Sequence, residues 1–396
     1  MKNKSFTQVM GLLLLLIIFS PLGFDIYIPS FTAIIKYYNT TPDQVQYTLS
    51  FFLLSMGGCQ LIAGPMVDKY GRRNVALWGI GLYGVTAALG AFAQTIHQLI
   101  LARVLQGGSA CCTATVAFAV VRDLLDAKES AKAYSYLNGA LNIVPAIAPL
   151  LGSALAARFS WQASLWFMAI FSLAVFILVL FKLPETHPDI TKTSTTLPLS
   201  NYKALLTNNI FVFNSLCCMG AMAVIVSYGS FAPQILIGEL GISQYFFSLL
   251  FGLNALAMMF SSIVAGYCMN ILGEKNCMVV GAIMMTIGSV IMGGAYYLIG
   301  ASVWGFIIPM LITSSGFAWL LGAATGKALA NFAHIAGTAS ALLLCIQMLG
   351  AALISMIAQA SPLPLLINLT LLIGLMGGIP LCTLFLVKQE DVSIQR

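Results

Sequence analysis

Residues 133–157 and 335–387 contain no Asp, Glu, Lys or Arg, and each stretch exceeds the roughly 20 apolar residues that cross a hydrocarbon core as a helix. A soluble domain carries charge on roughly 25% of its residues. Here 8% are charged and 60% hydrophobic, with a mean hydropathy of +0.95. No water-soluble fold hides that much apolar surface, so the bilayer is the solvent of this chain. The net charge of +6 does not point to nucleic acid, because the basic residues sit in short loops between apolar runs and form no stripe on a soluble face.

Breaking the apolar runs at polar, Gly or Pro clusters gives six spans near 9–35, 44–64, 75–93, 97–121, 133–157 and 162–183, and six more near 209–237, 245–270, 277–299, 303–325, 335–360 and 363–387. The expected fold is an all-α membrane protein: twelve transmembrane helices in two pseudo-symmetric six-helix bundles, 1–183 and 209–396. The longest polar stretch, 184–208, is Thr/Ser-rich and reads as a cytoplasmic linker between them. Lys2 and Lys4 before Leu12–Phe19 imitate a signal peptide, but no A-x-A site follows and the run continues past Asp25, which makes it a first span.

Basic residues set the orientation. With both termini cytoplasmic, Lys2, Lys4, Lys69, Arg72, Arg73, Arg122, Lys128, Lys132, Lys182, Lys192, Lys203, Lys275, Lys327, Lys388 and Arg396 fall inside, and only Lys36 and Arg158 outside. An even number of spans is needed for that asymmetry. The halves also echo one another: Gly64, Asp68, Gly71 and Arg73 recur as Gly266, Asn270, Gly273 and Lys275, each 202 residues on. Such internal symmetry belongs to transporter repeats, with a substrate site expected near the midplane. Nine cysteines lie in or beside apolar runs without zinc-like spacing. They read as small core residues, and no metal site is expected.

The segment Gly64-x-x-x-Asp68-Lys69-x-Gly71-Arg72-Arg73 resembles the loop between helices two and three of the major facilitator superfamily. Arg103-Val-Leu-Gln106-Gly107-Gly108 resembles the helix-four motif of its proton-driven branches, and Asn142–Ser153, with Pro145, Pro149 and Gly152, the helix-five antiporter motif. Asp25-x-Tyr27-x-Pro29, Ser160-Trp161-Gln162 and Leu183-Pro184-Glu185-Thr186 look like the Bcr/CflA multidrug exporters, the twelve-spanning drug/proton antiporter branch. Ala148-Pro149 and Gly152-Ser153 stand where drug exporters usually have Gly-Pro and Gly-Gly. The residues remain small, which preserves close helix packing.

Asp25 is the one acid well inside a span. A carboxylate in hydrocarbon costs roughly 2.5–3.5 kcal/mol on the lenient insertion scale, so it should face the bundle interior. Burial disfavours its charged form, which suits loading and release of a proton. Arg103 is the one basic residue inside a span. At 1.5 Å per residue it lies about 9 Å, and Asp25 about 15 Å, from the outer ends of their helices, depths that permit a direct or water-bridged approach. Asp25 and Arg103 are the proton-coupling candidates, with Arg103 positioning rather than carrying protons.

Asp68 is placed to sit at a helix N-terminus, and Arg72 or Arg73 to pair with Asp123 at the inner end of helix four. By resemblance, Gly64, Asp68, Gly71, Arg72, Arg73 and Asp123 form a latch that closes the cytoplasmic side in one conformation. Tyr27, Asn138, Asn142, Asn214, Tyr228, Asn254, Trp319 and Gln347 are the cavity candidates, as polar groups within spans that face protein or water rather than lipid.

No phosphate loop or paired catalytic carboxylates appear, which argues against an ATP-driven pump or an enzyme. The resemblance implies drug/proton antiport by alternating access in a bacterial inner membrane, conferring antibiotic resistance by multidrug efflux. No cofactor is expected beyond the coupling proton, and the expected partners are a small-molecule substrate and the bilayer, with no nucleic acid and a monomeric state. The rival readings are proton-coupled movement of one specific metabolite, such as an amino-acid derivative or siderophore, and a non-transporting membrane receptor of the same fold.

Overall fold

The computed structural model describes residues 2–124, 127–186, 199–332 and 335–393. Among them there is no strand. In chain order the helices are α1 (Lys2–Asp25), a 3₁₀ turn (Ile28–Ser30), α2 (Phe31–Tyr38), α3 (Pro42–Tyr70), α4 (Arg72–Ala91), α5 (Ile96–Leu124), α6 (Ala127–Arg158), α7 (Gln162–Lys182), α8 (Leu199–Leu206), α9 (Asn209–Ala232), a π-helical continuation (Pro233–Glu239), α10 (Gln244–Leu272), α11 (Glu274–Ile299), α12 (Val303–Ala330), α13 (Ala336–Gln359) and α14 (Leu365–Ser393).

Among the described residues eleven spans are long and apolar enough to cross a bilayer. The remaining expected span, 133–157, falls on α6, a helix of 32 residues of which Ile143–Arg158 forms a shorter apolar stretch. Several helices overrun their apolar runs. Helix α3 continues to Tyr70, where the run ends near residue 64, because a helix persists into the headgroup region until a stop signal is met. That signal is Gly71, with φ of 86°, a conformation that favours a residue without Cβ. Three helices, α9, α10 and α12, begin on side-chain caps: Asn208, Ser243 and Ser302 accept from the backbone N–H of Phe211, Phe246 and Gly305.

The chain divides into two compact units, Met1–Leu199 and Ser200–Arg396. Each shows the same internal pairing. In the first, α5 packs on α1, α3 and α4, α7 on α1 and α4, and α6 on α1. In the second, α12 packs on α9, α10 and α11, α14 on α9 and α11, and α13 on α9. The correspondence reaches single residues. Gly273 adopts φ 78°, ψ 159°, against φ 86°, ψ 156° at Gly71. A Cβ on Gly79 would press on the Ser109 carbonyl of α5 at 3.1 Å, and one on Gly281, 202 residues later, on the Gly316 carbonyl of α12 at 2.6 Å. Small residues here let helices approach where no hydrophobic force acts between them.

Part of the stretch expected to link the halves is helical, as α8, and Leu183–Thr186 folds back on α4. Residues 187–198 lie outside the described residues.

Candidate functional site

The first span is not one continuous helix. Helix α1 stops at Asp25, and the chain passes through Ile26, Tyr27 and a 3₁₀ turn before α2 begins at Phe31. Pro29, in the first turn of the 3₁₀ segment, has no N–H to give to a continuing α-helix. Unwound backbone at membrane depth survives only if protein groups take up the freed carbonyls. Two side chains do so. The Arg103 guanidinium of α5 donates from Nη2 to the Gly23 carbonyl, and Ser164 of α7 donates to the Ile26 carbonyl at 3.5 Å.

Arg103 is wholly buried. Its Nη1 donates to Gln106 Oε1 at 2.6 Å, and its plane lies over the rings of Phe52 at 4.5 Å and Tyr27 at 5.1 Å. Such cation–π contacts strengthen once water is excluded. Tyr27 is hydrogen-bonded in turn to Thr48 of α3 at 3.0 Å. Two glycines set the spacing: a Cβ on Gly107 would run into the Phe52 carbonyl, and one on Gly152 into the Ile26 carbonyl. Gly152, in the α6 segment that carries Pro145 and Pro149, thus lets α6 lie directly on the break.

Asp25 is 5% exposed and has no hydrogen bond or ion pair among the described residues. The direct approach to Arg103 that their depths permit is not made. Arg103 instead serves the main chain two residues before Asp25, so the two candidates share one structural element without sharing a bond.

At the opposite end of α3 and α4 lies a charge cluster. Arg72, 3% exposed, bonds Asp123 through Nε at 2.7 Å, Asp68 through Nη2 at 3.0 Å and the Val67 carbonyl through Nη1 at 3.0 Å. Arg122 stands further off, 3.8 Å from Asp68 and 3.9 Å from Asp123. Asp68 does not sit at a helix N-terminus as expected, but in the last turn of α3. The acid at the start of α4 is Glu185: its two carboxylate oxygens accept the backbone N–H groups of Arg72 at 2.9 Å and Arg73 at 3.1 Å. The exposed N–H groups and dipole of a helix N-terminus favour an anion there. Arg73 donates instead to the Leu180 carbonyl at 2.6 Å. A Cβ on Gly64 would meet nothing within 4 Å, so packing does not require glycine at that position.

Replacing Glu185 by Gln weakens this cap, with an expected loss of about 1 kcal/mol. Gly71→Ala should cost more, because φ is positive and the new Cβ would lie 2.5 Å from Glu185 Oε2. Thermal unfolding of the two variants measures both, in that order.

The cavity candidates of the second unit take local partners. Asn254 donates to Ser314 at 2.9 Å, Trp319 to Ser261 at 3.1 Å and Asn214 to the Ile210 carbonyl at 2.7 Å, while Gln347 is buried. Tyr228 stacks on Phe251 and Phe306, with centroids 5.1 and 6.0 Å apart. Its hydroxyl and the Asn214 and Asn254 carbonyl oxygens are buried without a partner among the described residues. The side chains of Asn138 and Asn142 lie outside the described ones.

Residues 13–355 match the model of the family described as Major Facilitator Superfamily. The chain belongs to the major facilitator superfamily. Among its relatives is the multidrug resistance protein MdtL of Escherichia coli O127:H6, 30% identical over 338 residues, with 85% of each chain covered. The protein of the same name in Shewanella sp. strain ANA-3 is 29% identical over 336 residues, covering 83% of this chain and 82% of its own. Solved structures share the fold: a D-xylose–proton symporter (16% identity, TM-score 0.77, 96% and 97% covered) and a bacterial homologue of the human lysosomal transporter Spinster in an inward-facing conformation (16%, 0.75, 90% and 82%).

Superfamily motifs account for Arg103, Arg72 and Gly152, whereas Thr48, Phe52, Ser164 and the role of Glu185 escaped the sequence. Ser and Thr are too common in membrane helices to stand out. Glu185 carried one signal, a carboxylate directly after the Pro that ends a span.

Proposed function

We propose that this superfamily member is a proton-coupled exporter of small amphipathic organic compounds, working by drug/proton antiport and alternating access. The observation that carries the reading is Asp25, a buried carboxyl at a helix break, with no neighbour among the described residues to lock it in either protonation state. Arg103 and Ser164 hold the break open, so the carboxyl sits beside main chain that can rewind. Support for drugs as cargo comes from the relatives named multidrug resistance proteins. Asp68, Arg72 and Asp123 act as a latch that is made in one conformation and broken in another. Asn138, Asn142, Asn214, Tyr27, Tyr228, Asn254, Trp319 and Gln347 remain the cavity residues of this reading, with bundles 1–183 and 209–396 joined by 184–208. The protein functions as a monomer in the inner membrane with both termini in the cytoplasm, as the distribution of Lys and Arg favours.

The test is proton flux in proteoliposomes carrying an imposed pH gradient, with a panel of cationic dyes, antibiotics and metabolites. At least one amphipathic compound is expected to dissipate the gradient in exchange for protons. Co-movement of proton and compound in the same direction would establish symport instead.

A further inference from the structure

Helix α4 packs on α5 and α7 rather than on α1, yet it reaches α1 through one long side chain. Tyr83, wholly buried, sets its ring edge-on against Phe19 of α1 at 4.8 Å and donates its hydroxyl to the Phe19 carbonyl at 3.0 Å. A phenylalanine would fill the same space with no polar atom to satisfy, so the hydroxyl is tolerated here because α1 supplies an acceptor. Gly23 makes room for it: a Cβ there would lie 2.7 Å from the Tyr83 hydroxyl and 3.1 Å from the Phe52 ring. Glycine inside a helix is unfavourable relative to alanine, and Gly23 lies within α1, two residues before its end.

The same turn is held from a second side. Arg103 of α5 donates to the carbonyl of Gly23, four residues after Phe19. Met168 of α7 joins the two holds: its sulfur lies 3.2 Å from the Tyr83 hydroxyl and accepts from Gln106 Nε2 at 3.7 Å, while Gln106 Oε1 accepts from Arg103. Tyr83, Met168, Gln106 and Arg103 thus form one chain of contacts from α4 through α7 to α5, and both its ends close on α1. At 1.5 Å per residue the two held carbonyls lie about 6 Å apart along the helix axis. One anchor would let the end of α1 tilt about it, whereas two a turn apart remove the tilt. Asp25 follows two residues later with no hydrogen bond or ion pair among the described residues, so the main chain alone sets its place.

We propose that Tyr83 is a positioning residue for proton coupling: with Arg103 it fixes the turn Phe19–Gly23, so that the Asp25 carboxyl meets its proton at one place while the chain beyond it moves. Tyr83 itself carries no proton. The role rests on the reading of Asp25 as the coupling carboxyl.

Hydrogen–deuterium exchange of the detergent-purified full chain, with no substrate present, reads the anchor directly. Tyr83→Phe keeps the ring against Phe19 and removes the hydroxyl, and should speed exchange in the peptide 19–27 about fivefold, the factor one hydrogen bond carries. Unchanged exchange there overturns the anchor. In proteoliposomes with an imposed pH gradient and ethidium as the cationic dye, the same variant should lose about fivefold in maximal gradient-driven flux, with counterflow and the half-saturating dye concentration as in the wild type. Equal losses of flux and counterflow would make Tyr83 merely structural and overturn the proposal. Gly23→Ala should slow gradient-driven flux as well, but Gly23→Ala/Tyr83→Phe should be no slower than the worse single variant, because the space of the hydroxyl is vacated; losses that multiply would show that the two residues act apart. If Asp25→Asn keeps its gradient-driven flux, the coupling reading itself falls. If Asp25→Asn loses that flux and Tyr83→Phe does not, the positioning role alone falls.

Discussion

Asp25→Asn should reduce pH-gradient-driven transport to the level of protein-free liposomes while leaving the fold intact. Asn is close in shape to a protonated Asp, and no partner among the described residues is lost with the charge. The variant should therefore still purify as a monodisperse protein. It should also still exchange substrate for substrate across the membrane, since that half-reaction needs no proton to be taken up or given off. The paired assay, gradient-driven flux and counterflow on the same preparation, separates coupling from structure. Loss of counterflow together with flux would mean that Asp25 shapes the substrate path, and full gradient-driven activity would remove it from the proton pathway altogether.

Arg72→Met should produce the largest loss of stability. The guanidinium is 3% exposed and satisfies Asp123, itself 9% exposed, together with Asp68 and a carbonyl. Breaking a buried pair by removing one partner typically costs about 3–5 kcal/mol, because the remaining charge stays desolvated. The lower end is expected here, since Arg122 stands within 3.9 Å of Asp123 and Thr186 donates to it at 3.4 Å. Arg72→Lys keeps the charge but not the planar fork and should cost less. Arg72→Met/Asp123→Leu should recover part of the loss, because the orphaned carboxylate is gone. The readout is thiol exposure on heating: Cys111, Cys217, Cys218, Cys277 and Cys345 are buried thiols, so a maleimide dye reports unfolding. If the single variant unfolds with the wild type, the cluster contributes nothing to stability and its latch role must be sought in kinetics.

Spans were legible because charge is scarce and each cation in a loop is a vote on sidedness. Asp25 stood out for the same reason. Hydropathy, however, detects the membrane and not the helix, so it ends α3 several residues early and leaves Asp68 looking like a helix start. The structure puts it in the last turn before Gly71. Pro29 was visible, but a proline alone does not say whether a helix kinks or stops. What Arg103 and Ser164 hold is hidden for a deeper reason: both bond carbonyls, which every residue possesses.

That choice of acceptor has an evolutionary side. A side chain that grips another side chain can be lost and regained by paired substitution, and the two positions then vary together across descendants. Arg103 grips the peptide group at Gly23, which no mutation deletes, so there is no second position at which a loss could be compensated. Random mutagenesis from an Arg103 variant should return reversions to Arg and no suppressor that restores the bond from the α1 side. Methods that infer contacts from correlated change should pass over one of the most buried polar contacts in the first unit.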